Sequence, residues 1–128
     1  MTEKDFLTRV QAAAALPSPR DAERWVIAVL TAVHDLLDDS QARRRFAAQL
    51  PGSLKARLRE EPPRGLRMDA DAFLQHLAAA LGTHAPEAQR ALRAVWTTLE
   101  DAVSPGELRD VRALLPKDFG RLLGGRAA

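Results

Sequence analysis

Residues 24–37 read Arg-Trp-Val-Ile-Ala-Val-Leu-Thr-Ala-Val-His-Asp-Leu-Leu, and no other segment constrains the architecture as strongly. Between positions 25 and 33, only Thr31 interrupts the apolar residues. This run is far shorter than the ~20 residues that a membrane-spanning helix needs. A helix that is apolar nearly all round is instead surrounded by protein. We therefore predict a central buried helix that begins at Pro19, after a Ser18 cap.

A second long apolar segment follows Pro86 and is similar to the first. Residues 28–31 are Ala-Val-Leu-Thr, and residues 94–97, which lie 66 positions later, are Ala-Val-Trp-Thr. Two further pairs recur, Phe-Leu at 6–7 and 73–74 with an offset of 67, and Leu-Pro at 50–51 and 115–116 with an offset of 65. Because the offset changes only where loops are expected, the sequence predicts an internal duplication.

The predicted fold is all-α. We expect a helical bundle of two tandem four-helix units, related by a pseudo-two-fold axis, with the two long helices at its centre. No segment alternates with the period of two that indicates a strand. The 128 residues are the right length for one domain. The first repeat is predicted at residues 2–60, a linker at 61–68 and the second repeat at 69–124.

Several short motifs are similar to those of a known family. They are the Phe-Leu pairs, Ala-Ala-Gln-Leu-Pro at 47–51, Ser-Pro-Gly-Glu-Leu at 104–108 and Ala-Leu-Leu-Pro at 113–116. Over residues 3–123 the chain resembles a bacterial family, domain of unknown function 2267. The resemblance implies an α-helical fold and no assigned activity. The first copy departs from the family pattern, because Gln41-Ala42 stands where the family tends to have Gly-Glu.

The sequence has few of the residue patterns that are typical of an enzyme's active site. The chain has no cysteine, which excludes disulfides, thiolate zinc sites and cysteine nucleophiles. Its four serines, at positions 18, 40, 53 and 104, all lie at predicted helix starts, where capping explains them. Ser104 with Glu107 has the spacing of a capping box. We therefore predict a protein that is not an enzyme and needs no cofactor.

His34 is the best candidate for a metal ligand. It lies four residues before Asp38, so both side chains would share one helix face. The alternative interpretation, which we favour, is structural, because carboxylates before the third helix stabilise its N-terminus. We expect His76 and His84 on the surface, the latter in a loop. The tryptophans, at positions 25 and 96, are predicted to lie in the core.

Positive charge is concentrated in one segment. Residues 43–67 carry eight Lys and Arg against two Glu, whereas the rest of the chain is net negative. Such a cluster is able to contact phosphates or an acidic partner. The predicted contact residues are Arg43, Arg44, Arg45, Lys55, Arg57 and Arg59. Consecutive helical residues point about 100° apart, so the three adjacent arginines do not form one stripe.

These patterns lead to two hypotheses about function. The first is a helical module that acts through protein–protein contacts, with another protein or with a second copy of the chain. The second is binding of nucleic acid or an anionic surface through residues 43–67. The acidic start of the chain lacks the features of a secretory signal, so we expect a cytoplasmic protein that does not insert into membranes.

Overall fold

The computed structural model describes residues 1–37, 39–52, 54–58 and 68–123, which excludes most of the predicted linker. These residues form six α helices and no strand, so the predicted all-helical fold is confirmed. The helices are α1 (Glu3–Ala13), α2 (Pro19–Leu36), α3 (Ser40–Ala48), α4 (Ala70–Leu81), α5 (Ala85–Ala102) and α6 (Pro105–Leu114). Two short 3-10 helices lie at Leu54–Arg57 and Lys117–Arg121. No helix in the described ranges combines the length and hydrophobicity of a membrane span.

The two long helices, α2 and α5, have 18 residues each and contact each other. α1 and α4 each contact both of them, and α3 packs against α6 as well as against α2. The sides that meet are apolar: Val29 is 1% exposed and Val95 is fully buried. Trp25 and Trp96 are also buried, as predicted. Removal of this apolar surface from water, worth roughly 25 cal/mol per Å², holds the helices together.

Two side-chain caps fix where the first helices begin, and the second of them, Ser18, is the predicted one. The Thr2 hydroxyl accepts a hydrogen bond from the Asp5 amide at 3.1 Å, before α1. The Ser18 hydroxyl accepts one from the Asp21 amide at 3.2 Å, before α2. Each bond satisfies an amide that has no partner inside its helix.

The predicted cap of α3 is wrong by one residue. Asp39 is the cap, and its carboxylate accepts a hydrogen bond from the Gln41 amide at 2.9 Å. Ser40 is the first residue of the helix instead. A carboxylate is the stronger partner here, because it also interacts favourably with the positive end of the helix. Ser53, the other predicted cap nearby, lies outside the described residues.

The predicted capping box of α6 does not form. Ser104 does occupy the cap position, but its side chain makes no capping hydrogen bond. Pro105 follows it in the first turn. Its ring fixes the backbone in a helical conformation and removes one unpaired amide, so the helix begins without the serine's bond.

α4 ends at Gly82, which adopts a left-handed conformation with φ of 68°. The Thr83 amide then donates to the Ala78 carbonyl at 2.9 Å and closes the helix end. Glycine is favoured here because it has no Cβ that clashes in this conformation.

We expect Gly82→Ala to destabilise the protein by about 1 kcal/mol, because alanine disfavours the left-handed region. A Cβ at this position meets no atom within 4 Å, so backbone strain is the whole effect. The control is Gly106→Ala on α6, where a Cβ also has open space and φ is not positive. That change is expected to be neutral or stabilising. Urea denaturation measures both, and equal effects would contradict the prediction.

Candidate functional site

The predicted basic segment lies on α3 and the 3-10 helix that follows. Five of its six predicted contact residues are described: Arg43, Arg44 and Arg45 on α3, and Lys55 and Arg57 on the 3-10 helix. Arg59 lies outside the described residues. The structure therefore brings the predicted residues onto two neighbouring elements, but it does not give them one role.

Arg43 stabilises the fold rather than presenting its charge to solvent. It is half-buried, and its Nη1 donates a 2.6 Å hydrogen bond to the carbonyl of Leu37, where α2 ends. Carbonyls at the end of a helix lack partners within it, so a cation that donates to one is favourable. Substitution of Arg43 is therefore a poor probe of ligand binding.

Arg57 is also engaged. Its Nη1 lies 2.7 Å from Oε1 of Glu23 on α2, and both side chains are close to half exposed. An ion pair at that exposure contributes little to stability. Arg44, Arg45 and Lys55 are exposed and pair with no acidic residue in the described part of the chain. These three are the free members among the five that the structure describes.

Other arginines also donate hydrogen bonds to carbonyls at helix ends, as Arg43 does. Arg24 on α2 donates to the carbonyl of Leu81, the last residue of α4, at 3.3 Å. Arg93 on α5 donates at 3.2 Å to the carbonyls of both Arg121 and Leu122. Each bond joins two elements that are distant in sequence. Much of the basic character of the chain is therefore structural.

Two surface ion pairs connect further elements. Arg9 on α1 lies 2.9 Å from Asp101 on α5, and Arg121 lies 2.9 Å from Asp71 on α4. The hydrogen bond that Arg121 donates to the Asp71 carboxylate raises the pKa of the guanidinium above its ordinary value. Both pairs are exposed, so solvent screens them strongly.

A groove between α5 and α6 is the first candidate site of the described chain. Its volume is about 420 Å³, and its lining residues are Trp96, Glu100, Pro105, Leu108, Arg109 and Arg112. Trp96 is 2% exposed and Leu108 is 7% exposed, so they form an apolar floor beneath charged side chains. Arg112 also lies beside the second 3-10 helix, since a Cβ at Gly120 would be 3.6 Å from its Nη2.

The charges at the rim of this groove have no partner within the described part of the chain. Glu100 comes from α5, and Arg109 and Arg112 come from one face of α6. None of the three forms an ion pair or hydrogen bond with another described residue. An apolar floor surrounded by unpaired charges is able to bind an amphipathic ligand.

A second cleft, between α1 and α5, is less suited to a ligand. It contains Arg90 and Arg93, and both are already engaged. The Arg90 guanidinium lies 5.7 Å from the centre of the Trp25 ring, where a cation interacts favourably with the aromatic face. Arg93 makes the two carbonyl contacts described above.

Sequence reasoning missed the groove between α5 and α6. One signal was present, because Arg109 and Arg112 are three residues apart on a predicted helix and therefore share a face. The sequence did not indicate that this face turns toward Trp96, which follows only from the angle between α5 and α6.

The family profile described as "Uncharacterized conserved protein (DUF2267)" matches residues 3–122, nearly the whole chain. The chain belongs to the DUF2267 family. The predicted resemblance is thereby confirmed. A comparison with curated proteins finds no match. Since the family's description names no activity, any function for this DUF2267 chain has to be argued from its own residues.

The candidate metal ligand of this DUF2267 chain lies in the core. His34 is 4% exposed and Asp35 is 6% exposed, and His34 Nδ1 lies 3.4 Å from Asp35 Oδ1. Asp38, the predicted second ligand, lies outside the described residues. Among the residues that are described, no three His, Asp or Glu side chains group as a metal site would require. Hydrogen bonding of these two polar side chains to each other is what burial in a largely apolar bundle requires.

The other two histidines lie at the surface of this DUF2267 domain, as predicted. His76 is exposed on α4. His84 is also exposed and lies in the loop before α5, as predicted. It is the N-cap of that helix, and its amide donates to Glu87 Oε1 at 3.2 Å. The glutamate three residues into the helix produces this arrangement.

Proposed function

We propose that this DUF2267 chain is a non-enzymatic module that binds a protein through the groove between α5 and α6. The observation that carries the proposal is the groove's composition: a tryptophan and a leucine at the floor, with unpaired charges from Glu100, Arg109 and Arg112 around them. Tryptophan and arginine are enriched among residues that dominate protein interfaces. The partner is either another protein or a second copy of the chain. The cytoplasmic location stays a prediction.

The test compares two truncations on one helix. Leu108→Ala removes part of the groove floor, whereas Leu114→Ala removes an exposed side chain that does not line the groove. Proteins retained by the wild type and Leu114→Ala, but lost by Leu108→Ala, would support the proposal. Circular dichroism checks that both variants remain folded, because truncating a buried leucine costs about 2–5 kcal/mol.

The same variants test self-association. If a second copy is the partner, light scattering detects a concentration-dependent dimer that Leu108→Ala weakens and Leu114→Ala does not. A monomer at every concentration, together with equal retention of proteins by all three chains, would contradict the proposed function.

A second candidate function is binding of nucleic acid or an anionic surface through α3 and its neighbouring 3-10 helix. It rests on the exposure of Arg44, Arg45 and Lys55, which pair with no described acidic residue. Cations of this kind are free to contact phosphates.

For this second function, we expect Arg44→Ala with Arg45→Ala to weaken DNA binding and to lower the salt slope by about 2, because each contact releases about one counterion. The control, Lys4→Ala with Arg20→Ala, removes the same charge from exposed positions on α1 and α2. Titrations at several salt concentrations measure both. Equal effects of the two double variants would show that net charge alone acts, and an absence of DNA binding at low salt rejects this function.

We further propose that the chain consists of two tandem copies of one unit, related by a pseudo-two-fold axis. The order of elements supports this proposal, because two α helices, a shorter α helix and a 3-10 helix occur in each half. The helix contacts agree with it, since α1 packs on α5 as α4 packs on α2. Superposition of the halves in an experimentally determined structure tests it, and a rotation far from 180° would contradict it.

A further inference from the structure

We propose that the partner segment bound in the groove between α5 and α6 is an acidic amphipathic helix. This inference rests on the proposed function and names the chemistry of its partner. The distribution of unengaged arginines and the composition of the groove lining support it.

The arginines that form no hydrogen bond, ion pair or cation–π contact within the described chain are concentrated on two helices. Of twelve described arginines, seven donate to carbonyls, form ion pairs or lie over Trp25. The remaining five are Arg20 on α2, Arg44 and Arg45 on α3, and Arg109 and Arg112 on α6. Four of these five therefore lie on α3 and α6, which pack against each other.

This distribution favours a negatively charged partner. Arg109 and Arg112 outnumber Glu100 at the groove, so its rim is net positive. α3 contains three arginines and no acidic residue. A guanidinium binds a carboxylate through two parallel hydrogen bonds, which makes acidic side chains the best matched groups.

The groove floor favours a protein segment over a nucleic acid. The groove lining includes Trp96, Pro105 and Leu108, so its interior is apolar and suits leucine-like side chains. An amphipathic helix meets both requirements, because it presents apolar residues on one face and carboxylates beside them.

The probe is a fluorescein-labelled helical peptide of about 18 residues, long enough to form helix on binding. Its leucines are spaced at i, i+3, i+4 and i+7, so that they share one face of the helix. Glutamates occupy the positions on either side of that face. A second peptide carries lysine in place of every glutamate, and a labelled single-stranded DNA oligonucleotide serves as the nucleic-acid probe. Fluorescence anisotropy with the full chain measures the affinity for each.

We expect the glutamate peptide to bind most tightly. Arg109→Gln with Arg112→Gln should weaken its binding about tenfold, equivalent to 1.4 kcal/mol, and should reduce its salt dependence. Lys4→Gln with Arg20→Gln, which removes the same charge elsewhere, should change binding by less than about twofold, as screened distant charges do. Leu108→Ala should also weaken binding, whereas Leu114→Ala should not.

Three outcomes would overturn the inference. If the lysine peptide binds at least as tightly and its binding depends on Leu108, the charge assignment is wrong although the groove still binds proteins. If the glutamate peptide fails to bind while wild-type chain still retains proteins in a Leu108-dependent manner, the partner chemistry is wrong and the proposed function stands. If only DNA binds, and Arg109→Gln with Arg112→Gln abolishes that binding, both the inference and the proposed function fail.

Discussion

Val29→Asp is expected to leave the chain unfolded. Val29 is 1% exposed in α2, one of the two long helices that contact each other in the bundle. A carboxylate placed there loses its hydration and gains no ion-pair or hydrogen-bond partner in return. The free energy of unfolding should fall by several kcal/mol or more. Domains of this size have a total stability of only about 5–15 kcal/mol. The helical circular dichroism and the cooperative thermal transition should therefore both be lost.

Two further variants make this prediction specific to burial. Val29→Thr has nearly the same shape but buries a hydroxyl, so it should remain folded and lose about 1–3 kcal/mol. Thr97→Asp places a carboxylate on an exposed position of α5 and should change stability by less than about 0.5 kcal/mol. If Val29→Asp melts like Thr97→Asp, the α2 surface at this position is not buried.

Phe119→Ala is expected to cost about 3–5 kcal/mol, the range for truncating a buried phenylalanine. Phe119 is 1% exposed and lies edge-on to Phe73, with ring centroids 4.9 Å apart. The contact joins the second 3-10 helix to α4. The Asp118 carboxylate, which accepts from the Ala70 amide at 3.0 Å, reinforces the same junction. Urea denaturation measures the loss of stability.

Hydrogen exchange separates this loss from a general weakening of the bundle. Amides of the second 3-10 helix should exchange faster in Phe119→Ala, while those of α2 keep their relative protection. Leu114→Ala is the control, since that leucine is 47% exposed. A cycle that adds Phe73→Leu should give a coupling energy of about 0.5–1.5 kcal/mol. A coupling near zero would mean that the two rings do not interact in solution.

The local structure was largely predictable from sequence, because it depends on neighbouring residues. Pro19 and Ser18 placed the start of α2, and the apolar stretch that follows placed both long helices in the core. The errors were also local. Asp39 competes with Ser40 for one cap, and Pro105 makes the hydrogen bond from Ser104 unnecessary. Both cases involve several groups that are each able to start the same helix.

The candidate site was only partly predictable. The segment at 43–67 marked where positive charge is dense, but it did not distinguish Arg43, which closes α2, from Arg44 and Arg45, which are exposed. That distinction depends on which helix-end carbonyls lie within hydrogen-bonding distance of each guanidinium. Arg109 and Arg112 belong to a segment with no net excess of positive charge. The net charge of the segments therefore did not indicate them as contact residues.

The sequence by itself determined the helical class, the start of α2 and the burial of the two long helices, because periodicity and capping act over a few residues. Only the tertiary structure decided which arginines donate to helix-end carbonyls or form ion pairs, and which have no such partner in the described chain. It also decided that Trp96 and Leu108 form the floor of one groove. The physical reason is that such contacts depend on helix crossing angles, which arise from the packing of the whole core.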